Sequence, residues 1–134
     1  MEDHTFYLNR CLELARQAAL AGESAVGCVI VNNDGVIIGE GMEQSRTQKD
    51  VTRHAEVVAV LDAVQKHGSC AGATLYSNVE PCILCSYVIR HYQIAHVVFS
   101  NYCGELGGTV APFNILTTDN IATWKTAPTV LVQS

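Results

Sequence analysis

The spacing of apolar residues along the chain predicts three helices. In residues 5–21 they recur at steps of three and four, which is typical of an amphipathic helix, and Gly22 is a suitable stop. The same spacing covers residues 55–66. Pro81 suits the first turn of a third helix, because the N–H that proline lacks would have no partner there. This helix is predicted over residues 81–91.

Short apolar runs between and after these helices predict five strands. The runs at residues 26–31 and 36–40 are separated by a turn sequence that ends in Asp34-Gly35, and two such runs are typical of a β-hairpin. The other runs predicted as strands lie at residues 73–77, 94–100 and 129–133.

The order of these elements predicts an α/β fold. A helix and a hairpin are followed by strands alternating with helices, which favours a three-layer α/β/α sandwich on one mixed five-stranded sheet. The 134 residues contain no repeat or linker, so we expect residues 1–134 to form a single domain. The segment after the fourth strand is irregular, with one short helical turn predicted at residues 111–116.

Composition narrows the class of protein further. Hydrophobic residues make up 49% of the chain and charged residues 16%, as in a compact globular domain. We expect no membrane association, because no apolar run reaches the roughly 18 residues of a transmembrane helix. The N-terminus is polar and acidic, unlike a signal peptide. Two of the six cysteines form a C-x-x-C motif. These features predict a cytoplasmic protein with a metal site rather than disulfides.

The charge of the chain argues against a large nucleic-acid substrate. The net charge is −5, and the eight basic residues are scattered instead of forming the basic stripe that is usual in nucleic-acid-binding proteins. Folding could still gather Arg46, Lys49 and Arg53 near one site, so tRNA is not excluded.

Two short motifs carry the candidate chemistry. His54 and Glu56 belong to a H-x-E sequence, and Cys82 and Cys85 belong to P-C-x-x-C. One histidine and two cysteines can hold a zinc ion and leave its fourth position open for water, as in catalytic zinc sites. Both motifs fall at predicted helix starts, where free N–H groups favour thiolates and bound hydroxide.

The two motifs also resemble the H-x-E…P-C-x-x-C signature of zinc deaminases, which implies hydrolytic release of ammonia. Zinc lowers the pKa of its bound water, and Glu56 can accept the proton and pass it to a ring nitrogen of the substrate. Hydroxide then attacks the carbon that bears the amine, and ammonia leaves with a second proton from Glu56.

A structural zinc site in a binding module is the alternative from a different class. A closed site needs a fourth ligand, which Cys70 or Cys103 could supply. Either motif alone carries little information. Their joint occurrence, with a proline before the first cysteine and a strand before each helix, favours catalysis.

The sequence resembles the cytidine-deaminase-like superfamily, in the branch of tRNA adenosine deaminases, guanine deaminases and cytosine deaminase. The resemblance covers nearly the whole chain and is most specific at residues 54–56 and 80–85. It implies zinc on His54, Cys82 and Cys85, one ion per chain, and proton transfer by Glu56. It also implies a substrate contact from the backbone N–H of Ala55, and a homodimer in which the cysteine-bearing helix contributes to the interface.

The chain departs from this branch at Glu43, where relatives usually have an asparagine that holds the base or ribose. An asparagine donates and accepts hydrogen bonds, whereas an ionised glutamate only accepts them. We therefore expect Glu43 to select a substrate that presents N–H or hydroxyl donors. The alternative is a solvated charge at the edge of a loop.

A second departure follows the last predicted strand, where relatives continue into a closing helix that often carries an aromatic residue over the site. Either the sequence is truncated or the pocket is closed differently. Phe113 and Trp124 are the aromatic residues in position to stack on a base, although large aromatic residues more often serve packing.

Together these features predict a zinc-dependent hydrolase acting on the C–N bond of a cyclic amidine. The expected substrate is a small amino-substituted nucleobase, nucleoside or similar heterocycle, and deamination of adenosine in tRNA is the alternative within this class. The sequence does not fix which heterocycle is the substrate.

Overall fold

A computed structural model describes residues 3–133. Its elements follow the predicted order and agree with the predicted bounds to within a few residues. The first helix is capped by the Asp3 carboxylate, which accepts a hydrogen bond from the Phe6 N–H. The second ends at Gly68 in a left-handed conformation that suits glycine. The helices and strands are α1 (His4–Leu20), β1 (Gly27–Val31), β2 (Ile37–Met42), α2 (Ala55–His67), β3 (Thr74–Val79), α3 (Ile83–His91), β4 (His96–Asn101) and β5 (Thr129–Val132).

The strands form one mixed five-stranded sheet in the order β2-β1-β3-β4-β5. Strand β1 pairs antiparallel with β2, as predicted for the hairpin, and also with β3. Strands β3, β4 and β5 are parallel. The predicted α/β sandwich on a mixed five-stranded sheet is confirmed.

The sheet separates two hydrophobic clusters, which gives the fold its three layers. Strand β1 is buried along its whole length and contributes to both. Val29 and Val31 pack with Leu8 and Leu14 of α1 on one face. The other face carries the larger cluster, formed with α2 and α3, which includes Cys28, Ile30, Ala59, Val60, Leu75, Ile89 and Phe99.

The helical turn predicted at residues 111–116 is wrong, because the segment forms separate turns instead. Long-range hydrogen bonds explain why this segment does not form a helical turn. The Leu116 N–H donates to the Gly108 carbonyl, and the Leu116 side chain is fully buried. The Arg90 guanidinium also donates to the carbonyls of Ile115 and Thr118.

None of the helices within residues 3–133 has both the length and the apolar character needed to cross a bilayer.

Candidate active site

Helix α2 begins at the histidine of the first motif. His54 is the N-cap residue in an extended conformation, and Glu56 lies in the first turn. The start of the helix lies directly on strand β2, because Gly41 has no side chain there. A Cβ on Gly41 would be only 2.5 Å from the Ala55 carbonyl oxygen. This close packing fixes where His54 and Glu56 stand above the sheet.

Helix α3 begins at the cysteines of the second motif. Cys82 is the N-cap residue, also in an extended conformation, and follows Pro81 at the end of the β3–α3 connection. Cys85 lies three residues further on, so both sulfurs can point to the same side of the helix. Helices α2 and α3 pack on the same face of the sheet, which brings the two motifs together.

The side chains of His54, Cys82 and Cys85 meet at metal-binding distances. The His54 Nδ1 atom lies 3.4 Å from each sulfur, and the two sulfurs are 3.7 Å apart. Tetrahedral zinc with Zn–S bonds of about 2.3 Å and Zn–N bonds of about 2.0 Å separates two sulfurs by about 3.8 Å and a sulfur from a nitrogen by about 3.5 Å. The donor atoms therefore fit a zinc ion.

The group supplies three ligands and leaves a fourth position open. Within residues 3–133, it contains His54, Cys82 and Cys85 alone, so neither Cys70 nor Cys103 joins it. A structural zinc site with four protein ligands is not formed by the described residues. Three protein ligands with one open position are typical of catalytic zinc.

The electrostatics of the two thiols also favour a cation between them. The hydrogen bond between the two sulfurs lowers the pKa of Cys82 to about 5, against the effect of burial, and the backbone N–H groups of Cys85 and Leu84 contribute further. The same bond and burial raise the pKa of Cys85. Two thiolates this close disfavour each other, and a bound metal ion removes that penalty.

Glu56 lies beside this group, within hydrogen-bonding reach of Cys85, and is 4% exposed. Burial raises the pKa of its carboxyl to about 8, and the negative charges of Cys82 and Glu43 add to the rise. The charge of a zinc ion nearby acts in the opposite direction. A buried carboxyl beside the metal site can both accept and return a proton, which is what general acid–base catalysis needs.

The two predicted substrate contacts bond to each other. The backbone N–H of Ala55 donates to the Glu43 carboxylate at 3.1 Å, and the Ser45 hydroxyl donates to its other oxygen at 2.9 Å. His54 makes no side-chain cap, so Glu43 provides one for α2 from the end of β2. Glu43 is therefore held by the protein at the start of the helix.

Two buried carboxylates near the site were missed in the sequence analysis. Glu23 accepts hydrogen bonds from the backbone N–H groups of Arg46 and Thr47, in the loop that leads to His54. Glu80 accepts bonds from the loop after β4. These contacts join residues more than 20 positions apart, so no local sequence pattern predicts the hydrogen bonds themselves. The one available signal was a glutamate between an apolar strand and Pro81.

The two candidate stacking aromatics lie in different environments. Phe113 is 68% exposed and is not a core residue. The indole of Trp124 lies under the Arg90 guanidinium, whose carbon is 5.0 Å from the ring centroid, and meets Tyr87 edge-on. Arg90 is near the end of α3, whereas the cysteines are at its start. Trp124 thus packs at the opposite end of α3 from the cysteines.

The three-layer fold, the open metal site and the buried carboxyl together define a zinc-dependent hydrolase of the deaminase class. The sequence profile of the cytidine and deoxycytidylate deaminase zinc-binding region matches residues 1–101. The chain belongs to this family, which confirms the predicted activity on C–N bonds and zinc as the metal.

Relatives and solved structures agree with this classification. The chain is 37% identical to the tRNA-specific adenosine deaminase of Aquifex aeolicus over 113 residues, which are 83% of this chain and 74% of the relative. It superposes with a TM-score of 0.85 and 27% identity on a structure from work on A-to-I editing by tRNA:A34 deaminases, covering 96% of this chain and 98% of that one. The guanine deaminase of Bacillus subtilis gives a TM-score of 0.70 and 33% identity over 75% of this chain and 66% of that one.

Proposed function

We propose that the zinc ion is held by His54, Cys82 and Cys85, and that Glu56 is the proton carrier of a hydrolytic deamination. One observation carries this proposal: three donor atoms at zinc-binding distances with a buried carboxyl next to them. Bound zinc supplies Lewis-acid activation of water.

The protein's own groups account for the proton transfers. Glu56 accepts a proton from the attacking water and donates it to the ring nitrogen next to the amine-bearing carbon. It then takes up the proton of the newly added hydroxyl group and transfers it to the departing amine, so that the C–O bond becomes a carbonyl as the C–N bond breaks and ammonia leaves. Burial excludes solvent from this carboxyl, so the proton passes between water, glutamate and substrate.

We propose a small amino-heterocycle, a free base or a nucleoside, as the substrate. The support comes from Glu43, whose carboxylate is held at the start of α2 by Ala55 and Ser45. An ionised carboxylate adds only acceptors to the pocket, so it suits ring N–H groups or ribose hydroxyls. The net charge of −5 also favours a small ligand over a polyanion.

Adenosine in tRNA is the second candidate, and two observations favour it. Relatives that are tRNA-specific adenosine deaminases match most of this chain. In addition, Arg46, Lys49 and Arg53 are all exposed in the single loop that leads from β2 to His54. Exposed cations next to the site could contact the phosphates of a tRNA anticodon stem.

Ammonia release separates the two candidates. The zinc-loaded protein is assayed with guanine, cytosine, adenine, their nucleosides and a tRNA anticodon stem-loop containing adenosine. We expect the highest kcat/KM with a free base or nucleoside. Turnover of the stem-loop alone would transfer the assignment to tRNA, and no turnover with any amino-heterocycle would contradict the proposed substrate class.

We also propose that the chain forms a homodimer through the surface of α3. The aromatic side chain of Tyr87 on this helix is 54% exposed, and Leu106, whose carbonyl bonds to the start of the helix, is 63% exposed. Exposed apolar residues that form a patch are typical of protein interfaces. Light scattering of the wild-type protein should give twice the mass of one chain. The Tyr87→Asp variant should have the mass of a single chain. A monomeric wild-type protein would contradict the dimer.

A further inference from the structure

Glu80 occupies an unusual position between the sheet and the metal site. It follows β3 and directly precedes Pro81, and its carboxyl is 1% exposed. The carboxylate accepts hydrogen bonds from the backbone N–H groups of Cys103 and Thr109, both at 3.0 Å, and from the Thr109 hydroxyl. Because a buried carboxylate is costly without such donors, these bonds fix the loop of residues 102–109 to Glu80.

The same loop bonds to the backbone on both sides of Cys82. The Gly108 N–H donates to the Pro81 carbonyl at 2.8 Å, and the Ile83 N–H donates to the Leu106 carbonyl at 3.0 Å. Cys82 therefore pairs with Gly107 in an isolated β-bridge. This bridge restrains the backbone from which the Cys82 sulfur extends.

The contact between the loop and the start of α3 leaves no free space. A Cβ on Gly107 would overlap the Glu80 carboxylate, and a Cβ on Gly108 would overlap the Ser86 hydroxyl. The Ser86 hydroxyl in turn donates to the Cys82 carbonyl at 2.7 Å. The loop, the carboxylate and the first turn of α3 thus form one packed unit.

We propose that Glu80 is a positioning residue for the zinc ligand Cys82. It fixes loop 102–109 across the start of α3, and the loop fixes the orientation of Cys82 towards His54 and Cys85. This proposal rests on the assignment of Cys82 as a zinc ligand. Groups that orient metal ligands from outside the coordination sphere commonly contribute about 10- to 100-fold to metal affinity or activity.

A Glu80→Gln variant tests the proposal, with Glu105→Gln as its control. Glutamine keeps the size of the side chain but presents an NH2 group where the loop supplies donors, so at least one bond is lost. Glu105 is an exposed carboxylate in the same loop. Zinc release to a chromogenic chelator should be about tenfold faster or more in Glu80→Gln and unchanged in Glu105→Gln.

Two further measurements distinguish positioning from general stability. With cobalt in place of zinc, the thiolate-to-cobalt absorption bands report the ligand geometry, and we expect them to shift in Glu80→Gln. The rise in Tm produced by zinc should be smaller in this variant than in the wild type. A wild-type release rate and spectrum in folded Glu80→Gln, or equal losses of Tm with and without zinc, would overturn the proposal.

If Glu80→Gln does not fold, Thr109→Val decides the question. This change removes one donor to the carboxylate and keeps the charge. Faster zinc release is expected, and a wild-type rate would overturn the proposal. Cys82→Ala tests the underlying assignment separately, because it should abolish tight zinc binding. If Cys82→Ala keeps one tightly bound zinc, the ligand assignment fails; if it loses zinc while Glu80→Gln behaves as wild type, only the positioning role fails.

Discussion

Glu43 and Ala55 bond to each other at the first turn of α2, so a carboxylate already satisfies one of the free N–H groups of this helix. A negative charge at a helix start is also stabilised by the helix dipole. A substrate that accepts a hydrogen bond from Ala55 must share this N–H with Glu43. A substrate that donates to the carboxylate needs no such exchange, which is why Glu43 is the residue expected to select the substrate.

Replacing Glu43 with asparagine tests this selectivity. Asparagine is shorter and supplies a donor as well as an acceptor. Loss of a hydrogen bond to a charged group typically costs about 1.5–3 kcal/mol, so kcat/KM for the preferred substrate should fall by about tenfold or more. Activity on substrates that present acceptors should rise in relative terms, with zinc content unchanged. An unaltered substrate profile would show that Glu43 only caps the helix.

At the level of elements, a bidentate ion pair joins α1 to the edge strand β2. The Arg10 guanidinium donates to both Glu40 oxygens, at 2.7 and 2.9 Å. The hydrogen bond from Arg10 lowers the pKa of Glu40. The pKa of Glu40 is therefore lower in the folded chain than in the unfolded chain. The ion pair contributes its full stabilisation at pH values above the unfolded-state pKa, and this contribution is lost as the pH falls through the folded-state pKa.

Replacing Arg10 with methionine therefore changes the pH dependence of stability. Both side chains are about a third exposed, so the expected loss at about pH 7 is no more than about 1 kcal/mol in the free energy of unfolding. At about pH 3 the metal-free variant and wild type should differ less, because Glu40 is becoming protonated in both. Urea unfolding at the two pH values measures the difference in the free energy of unfolding between the variant and the wild type. A difference that grows on acidification would contradict it.

The elements themselves were predictable because their signals are local. The hairpin has its Asp34-Gly35 turn, and the candidate metal ligands belong to two short motifs at the starts of α2 and α3. The bond between Ala55 and Glu43 and the contacts of Glu80 were not predictable, since both depend on how loops pack. The failed helical turn at 111–116 has the same cause, because tertiary bonds from Arg90 and Gly108 override its local pattern.

At the level of the whole molecule, the charge is unevenly distributed. The chain carries a net charge of −5, yet Arg46, Lys49 and Arg53 are exposed in one loop before His54. Arg53 lies 3.7 Å from the Asp50 carboxylate, which offsets part of this local positive charge. The loop therefore offers a smaller basic surface than its three cations suggest.

Salt dependence measures how far this surface contributes to substrate binding. For an uncharged base or nucleoside, KM should change less than about twofold between about 50 and about 200 mM salt, because no phosphates are neutralised. A triple variant with glutamine at positions 46, 49 and 53 should behave in the same way. A steep rise in KM with salt that this variant abolishes would instead indicate recognition of a phosphate-bearing substrate.

In the proposed mechanism a zinc ion and the Glu56 carboxyl together carry out hydrolytic deamination, and Glu56→Gln separates zinc binding from proton transfer. Glutamine fills the same buried space and leaves His54, Cys82 and Cys85 in place, but it cannot carry the proton. Zinc content and ammonia release are measured on the same preparations. We predict one zinc per chain, as in the wild type, and a loss of turnover of at least about a hundredfold. Turnover close to wild type in the zinc-loaded variant would contradict the mechanism.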